Sequence, residues 1–324
     1  MIHVSLSSSL ILLSTLKKLP ERNFERNKEI SWFFSVRIFF HKTQMSYAIV
    51  GFKQGDDVES KLASNLTDSE ADVMLLCNDT GFDTINKLAI ALLSKSCRKS
   101  WQLFLHDCGL EGVPDSVWEL TQVSALLFCR NKLRTISPHI GKLNDTLTSL
   151  YLNGNPFRVF PEAVCQLDRL TELAVNGCLL QSLPPSFARL RSLKKLIASD
   201  NNFHEFPEVI CELKNLKVLD MQNTNIAEMP SSMVQLQHLT HLCIEKNRFR
   251  EFPVVVCELL NLIRLTFSYN RVAEWPLSIT KLVKLTECFA GHNDFTHIPL
   301  FLGDLPRLDF LLVDGKYIQR VCVC

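Results

Sequence analysis

Histidine and cysteine have the widest chemical reach in this chain, and their spacing gives them no shared task. His106, His292 and His297 stand apart along the sequence, so none has a neighbour placed to relay a proton or share a metal. Twelve cysteines include no Cys-x-x-Cys pair of the kind that builds a zinc corner. Neither a GxxxxGK[S/T] phosphate loop nor a GxSxG nucleophile turn is present. The spacing predicts no enzyme, no metal and no cofactor. The chemistry that does recur belongs to a carboxamide. Asn131, Asn155, Asn201, Asn247, Asn270 and Asn293 share one register with Cys108, Cys178 and Thr224, at gaps of 23 residues and one of 24. An amide carries both a donor and an acceptor. Repeated once per turn of a periodic fold, it can bond backbone groups left unpaired where each strand turns outward.

Such a ladder needs a backbone that returns to the same place every 23 residues. The surrounding pattern, L-x-x-L-x-L-x-x-N-x-L-x-x-L-P, supplies it. In the unit around Cys178, Leu170, Leu173 and Val175 face inward, and the strand falls near Leu173 to Val175. Leu180 and Leu183 return to the core, Pro184 begins an outer segment, and Phe187 and Leu190 close the unit. A unit this short orders more chain than its own apolar side chains can support, so neighbours must cover both open faces. The period predicts an α/β solenoid, a curved right-handed stack with a parallel sheet on its concave face. Asn144-Asp145-Thr146 makes the 24-residue gap and predicts a bulge before Leu147 that leaves the stack intact.

The quoted pattern is similar to that of the 23-residue class of intracellular leucine-rich repeat proteins, which includes the Ras-suppressor and scribble-type scaffolds. The resemblance covers residues 100–321. It implies a leucine-rich repeat solenoid that binds another protein on the concave face, often a small GTPase, a kinase or a phosphatase. No PDZ or GTPase module accompanies the repeats.

By pattern the chain divides into three. Residues 1–44 are expected to be a poorly ordered extension ahead of an alternative start at Met45. Residues 45–99 form a small N-terminal segment. Within it Tyr47 to Phe52 has strand character, and Thr67 with Glu70 fits a capping box before Val73-Met74-Leu75-Leu76. An amphipathic helix near 83–97, with Ile85, Leu88, Leu92 and Cys97 on one face, is the expected cap of the solenoid. Residues 100–324 hold nine full repeats and one partial one, in which Lys316 takes the ladder position.

Charge is balanced at a net +1, which gives no global attraction to nucleic acid or anionic membrane. Val4 to Leu16 is apolar for 13 residues, too short to span a bilayer. No basic residue precedes it, so neither a signal peptide nor a membrane role is expected. Cys165, Cys211 and Cys257 share one repeat position, where cysteine serves as a small apolar residue, and a reduced, cytoplasmic setting follows. Cys322-Val323-Cys324 resembles the doubly prenylated end of Rab-type GTPases but lacks a basic stretch before it.

Candidate contacts lie on the strand face. Its central column includes Phe104, Tyr151, Ala174, Ile197, Asp220, Cys243 and Phe289, and an adjacent column holds Glu172, Lys195, His241, Arg264 and Glu287. Aromatic anchors supply binding energy, and mixed charge supplies specificity. Glu205, Glu228, Glu251 and Glu274 recur on the rim. A second period of 46 residues repeats FPEAVCQL, FPEVICEL and FPVVVCEL, with Pro-x-Ser units between them. Tandem duplication and a surface with a two-repeat period both account for it. The predicted function is a non-catalytic scaffold or adaptor. The alternative is a substrate-recognition subunit of a ubiquitin ligase that uses residues 46–82. The oligomeric state is not encoded in the pattern.

Overall fold

Alternation of side chains along an extended strand buries the leucine at the centre of each unit and leaves its two neighbours on the opposite face. In the computed structural model, which describes residues 37–38, 47–50, 72–75, 101–314 and 320–321, this pattern builds a solenoid. Ten strands form one parallel sheet. They are β4 (Trp101–Phe104), β5 (Val123–Leu127), β6 (Ser149–Tyr151), β7 (Glu172–Ala174) and β8 (Lys195–Ile197). The sheet continues through β9 (Val218–Asp220), β10 (His241–Cys243), β11 (Arg264–Thr266), β12 (Glu287–Phe289) and β14 (Phe310–Leu312). From β6 onward each strand pairs with the next one repeat along, so Lys195, Val218, His241, Arg264, Glu287 and Phe310 line up across it.

The return path of each coil is a short 3-10 segment such as Pro185–Arg189 or Glu208–Glu212. All but one start after a proline. Pro184, Pro207 and Pro230 hold φ near −70 at the cap position, the value their rings enforce. The exception is Ser137, whose hydroxyl accepts from the His139 N–H. The extra residue of the 24-residue gap is absorbed here. Pro138–Leu143 is six residues long where the others have five, and the Leu147 N–H bonds back to the Leu143 carbonyl at 2.9 Å. The next strand keeps its register, Ala125 opposite Ser149.

Between sheet and outer segments runs one continuous apolar core. It includes Leu173, Leu196, Leu219, Leu242 and Leu265 from the strands, and Phe187, Ile210, Met233, Val256 and Ile279 from the outer side. The 46-residue period finds its reason on that outer side. Ser186 donates to Glu162 at 2.7 Å and Ser232 to Glu208 at 2.6 Å. The same hydroxyls reach the sulfurs of Cys165 and Cys211. Each Phe-Pro coil is thus tied to the Pro-x-Ser coil after it, away from the concave sheet. In the third pair Val254 replaces the glutamate, and Ser278 keeps only the bond to Cys257.

Ahead of β4, against which β3 packs, β1 (Arg37–Ile38), β2 (Tyr47–Val50) and β3 (Asp72–Leu75) form a separate three-stranded sheet. The apolar run after the capping box is therefore strand, not helix: it pairs in parallel with β2, Ala48 opposite Val73. A further pair joins β13 (His297–Ile298) to β15 (Arg320–Val321). The expected capping helix near 83–97, Lys316 and the terminal cysteines lie outside the described residues.

Candidate functional site

The ladder amides come first because they hold the strand face in place. Asn201 Oδ1 accepts from the backbone N–H of Cys178 at 3.2 Å and of Leu180 at 2.9 Å. Its Nδ2 donates to Val175 O and Ala198 O at 2.9 and 2.8 Å. One side chain thus bridges two coils and serves four backbone groups. Asn131 and Asn247 likewise each accept two backbone N–H groups of the preceding coil. Asn155, Asn270 and Asn293 each accept one, from Leu133, Phe249 and Val272.

The ladder positions that are not Asn show a compensation that no spacing argument anticipates. Gly109, Leu179 and Asn225 directly follow Cys108, Cys178 and Thr224, and all three take positive φ, between 62 and 67. After an Asn the next residue does not flip. The flip belongs with the three coils in which the ladder residue's own N–H turns to the amide of the following coil. Thr224 Oγ1 still donates to Met221 O at 2.7 Å, but it accepts nothing from the coil before it. Leu179 bears the clearest cost, a branched apolar residue 46% exposed in left-handed backbone.

A second left-handed column precedes the ladder: Asp107, Arg130, Gly154, Gly177, Asp200, Asn223, Lys246, Tyr269 and His292. Tyr269 and His292 stack with centroids 4.0 Å apart, and the Lys246 ammonium lies 5.6 Å from the Tyr269 ring. Asp314 contacts the His292 ring at 3.2 Å. This aromatic edge beside the sheet was missed in the candidate set, although its position, one before each ladder residue, is readable in the sequence.

On the sheet face, the outer strand positions of β8 to β12 are half-buried and their central residues buried. Arg264 is the most constrained of the candidates. Its Nε lies 3.2 Å from Glu287, and its guanidinium sits 4.8 Å from the Phe289 ring, which packs at 5.0 Å on Phe310. Burial and the Arg264 charge push the pKa of neighbouring His241 down. Tyr151 donates to Glu172 at 2.6 Å. Burial, and then that carboxylate, raise the phenol's pKa. Ile197 and Lys195 are half-buried. Phe104 lies in β4 at the far end of the sheet. Ala174 is only 2% exposed, so the central column is interrupted between Tyr151 and Ile197. Asp220 is held by the Gln222 N–H at 3.0 Å and by the Cys243 thiol. Burial raises the pKa of both Asp220 and Cys243. The rim residues Glu205, Glu228, Glu251 and Glu274 are exposed and pair with no described cation.

Among the described residues, no group of three or more His, Cys, Asp or Glu side chains could hold a metal ion, and no helix is long and apolar enough to cross a membrane. Cys165, Cys178, Cys211, Cys257 and Cys288 are buried free thiols. Burial lifts the Cys178 and Cys288 thiols to about 11 and about 12, far from the thiolate form that reacts.

Comparison with known proteins places the same fold on the chain. Residues 146–167 match the family model Leucine Rich Repeat, and residues 189–256 match Leucine-rich repeat region. A leucine-rich repeat protein of Leptospira interrogans is similar at 21% identity and TM-score 0.60, over 81% of this chain and 82% of that one. The ectodomain of the plant membrane receptor kinase GASSHO1/SCHENGEN3 from Arabidopsis thaliana, solved with Casparian strip integrity factor 2, is similar at 23% identity and TM-score 0.58. That match covers 77% of this chain and 29% of the receptor. A TDR receptor is similar at 22% identity and TM-score 0.56, covering 78% and 48%. The chain thus spans less than half the length of both receptor chains. Period, ladder bonds and these likenesses agree that the chain is a leucine-rich repeat protein by fold.

Proposed function

We propose that the chain is a non-catalytic scaffold or adaptor that holds a signalling protein against its concave sheet. The observation that carries this reading is the strand face, over which no described element of the chain packs. Its residues stand in register across ten strands, with Arg264, Phe289 and Phe310 packed into a preformed aromatic and cationic patch. Preorganised side chains lose little entropy on binding, and aromatic and arginine anchors dominate interface energy. The leucine-rich repeat fold commonly serves protein–protein binding. A small GTPase, kinase or phosphatase is the partner class suggested by the resemblance of the repeats. Buried, unreactive thiols fit a cytoplasmic setting.

Arg264→Glu and Phe289→Asp test this reading. Each should abolish pull-down of the partner while the melting temperature stays nearly unchanged, since both side chains are part-exposed. Equal loss of folding and binding would remove these residues from the interface. The ligase-subunit alternative depends on residues 46–82, of which only β2 and β3 are described, and no observation favours it.

A further inference from the structure

The middle coils of the sheet carry charges that the fold does not need. At the entry to β8 and β9 stand Lys194, Lys195 and Lys217, and none of them forms an ion pair with a described residue. Lys195 has a carboxylate opposite it in register, Glu172. Glu172 instead accepts the Tyr151 hydroxyl at 2.6 Å, which draws it to the previous coil and leaves Lys195 uncompensated.

Asp220 shows the opposite sign at the other end of the strands. It is half-buried, with Ile197 and Cys243 directly opposite in register. No described cation forms an ion pair with it. Its structural work is to accept the Gln222 N–H, a turn bond that Asn would make equally well. The thiol bond from Cys243 also needs only an acceptor oxygen. The negative charge is therefore surplus to the fold, and an unpaired charge in a desolvated place is costly. Asp200, already bonded by Asn223 at 2.8 Å, adds to the same negative potential.

We propose, building on the concave-face reading above, that these coils receive a protein segment that sets a lysine or arginine against Asp220 and an aspartate or glutamate against Lys195 and Lys217. Ile197 and Val218 give that segment an apolar floor. Lys195 and Asp220 lie on adjacent strands two residues apart in register, about 8 Å between backbones at ~3.3 Å rise and ~4.8 Å strand spacing. An extended segment with opposite charges two residues apart on one face spans that distance. Complementary charge at both ends fixes its direction across the sheet. Binding also returns to Asp220 the electrostatic interaction that burial has withdrawn.

A displayed library of random peptides, selected on the full chain, tests the assignment. Wild type should enrich peptides that pair a basic with an acidic residue. Asp220→Asn, which keeps the turn bond, should bind those peptides about tenfold more weakly. The double variant Lys195→Glu with Asp220→Lys should enrich the reversed order. Melting curves establish that each variant is folded. Enriched peptides that lack the charge pair, or that bind Asp220→Asn as well as wild type, overturn the proposal. If those peptides still depend on Phe289, the concave-face reading survives. If neither Asp220→Asn nor Phe289→Asp affects them, both readings fail.

Discussion

Asn201 is among the ladder residues whose loss should cost most, and the structure supplies the reason. Truncation to alanine removes the acceptor of two backbone N–H groups, Cys178 and Leu180, and the donor to two carbonyls, Val175 and Ala198. Ser199 O also loses a bond but keeps the Gly177 N–H. Four buried groups are left without partners. At the low end of the range, ~1 kcal/mol each because water can follow into the vacated space, the loss is about 4 kcal/mol. Asn270→Ala strands one N–H fewer, Phe249 alone, and should cost ~1 kcal/mol less. Urea unfolding followed by circular dichroism measures both. Amide exchange locates the damage, which should centre on Cys178 and Leu180. A loss below ~1 kcal/mol for Asn201→Ala, or a reversed ranking of the two variants, would refute the view that these amides satisfy the turns between coils.

Thr224→Asn should stabilise by ~1 kcal/mol, because it offers an acceptor to the coil before it; an unchanged urea midpoint would count against this. Leu179→Gly should gain about 0.5 kcal/mol by relieving left-handed strain at an exposed site, and a lower midpoint would show no strain there. Folded Asp220 keeps its proton to a higher pH than its ordinary 3.8. The native state therefore binds more protons than the unfolded chain just above that value, and stability falls as pH rises through the window. Asp220→Asn should thus raise the melting temperature at neutral pH, with the gain shrinking as the pH drops toward 3.8; a pH-independent effect would refute the assignment.

The inward leucines and the ladder amides were legible because each meets the same neighbour one repeat away, so a one-dimensional period carries their whole environment. The concave side chains do not share that property. Glu172 stands opposite Lys195 on one side and diagonal to Tyr151 on the other, and only rotamers decide which it joins. The interruption at Ala174 arises the same way, from the larger residues on both sides. The flips after Cys108, Cys178 and Thr224 were hidden because they accompany a ladder N–H that turns to the amide of the following coil, an arrangement spread over two coils. The 46-residue period was visible as sequence but ambiguous in meaning until Ser186 and Ser232 were seen to bond the coil before them.

These two layers meet at one junction. Between the coil of β8 and the coil of β9, Thr224 accepts no N–H from the coil of Asn201, so this interface lacks an amide bridge that most others have. Directly above it on the sheet stand Lys195 on one coil and Asp220 on the next. A ligand that joins these two charges straddles a junction that lacks a ladder amide. It would supply from outside part of the cross-coil cohesion that Asn supplies elsewhere from within. Stability withheld from the free chain then becomes part of the binding free energy, since ordering on binding and order already present draw on the same coupling. Slower amide exchange at Asn201 and Phe203 on peptide binding follows from this coupling. Exchange unchanged at those two amides would separate the charges above from the gap beneath.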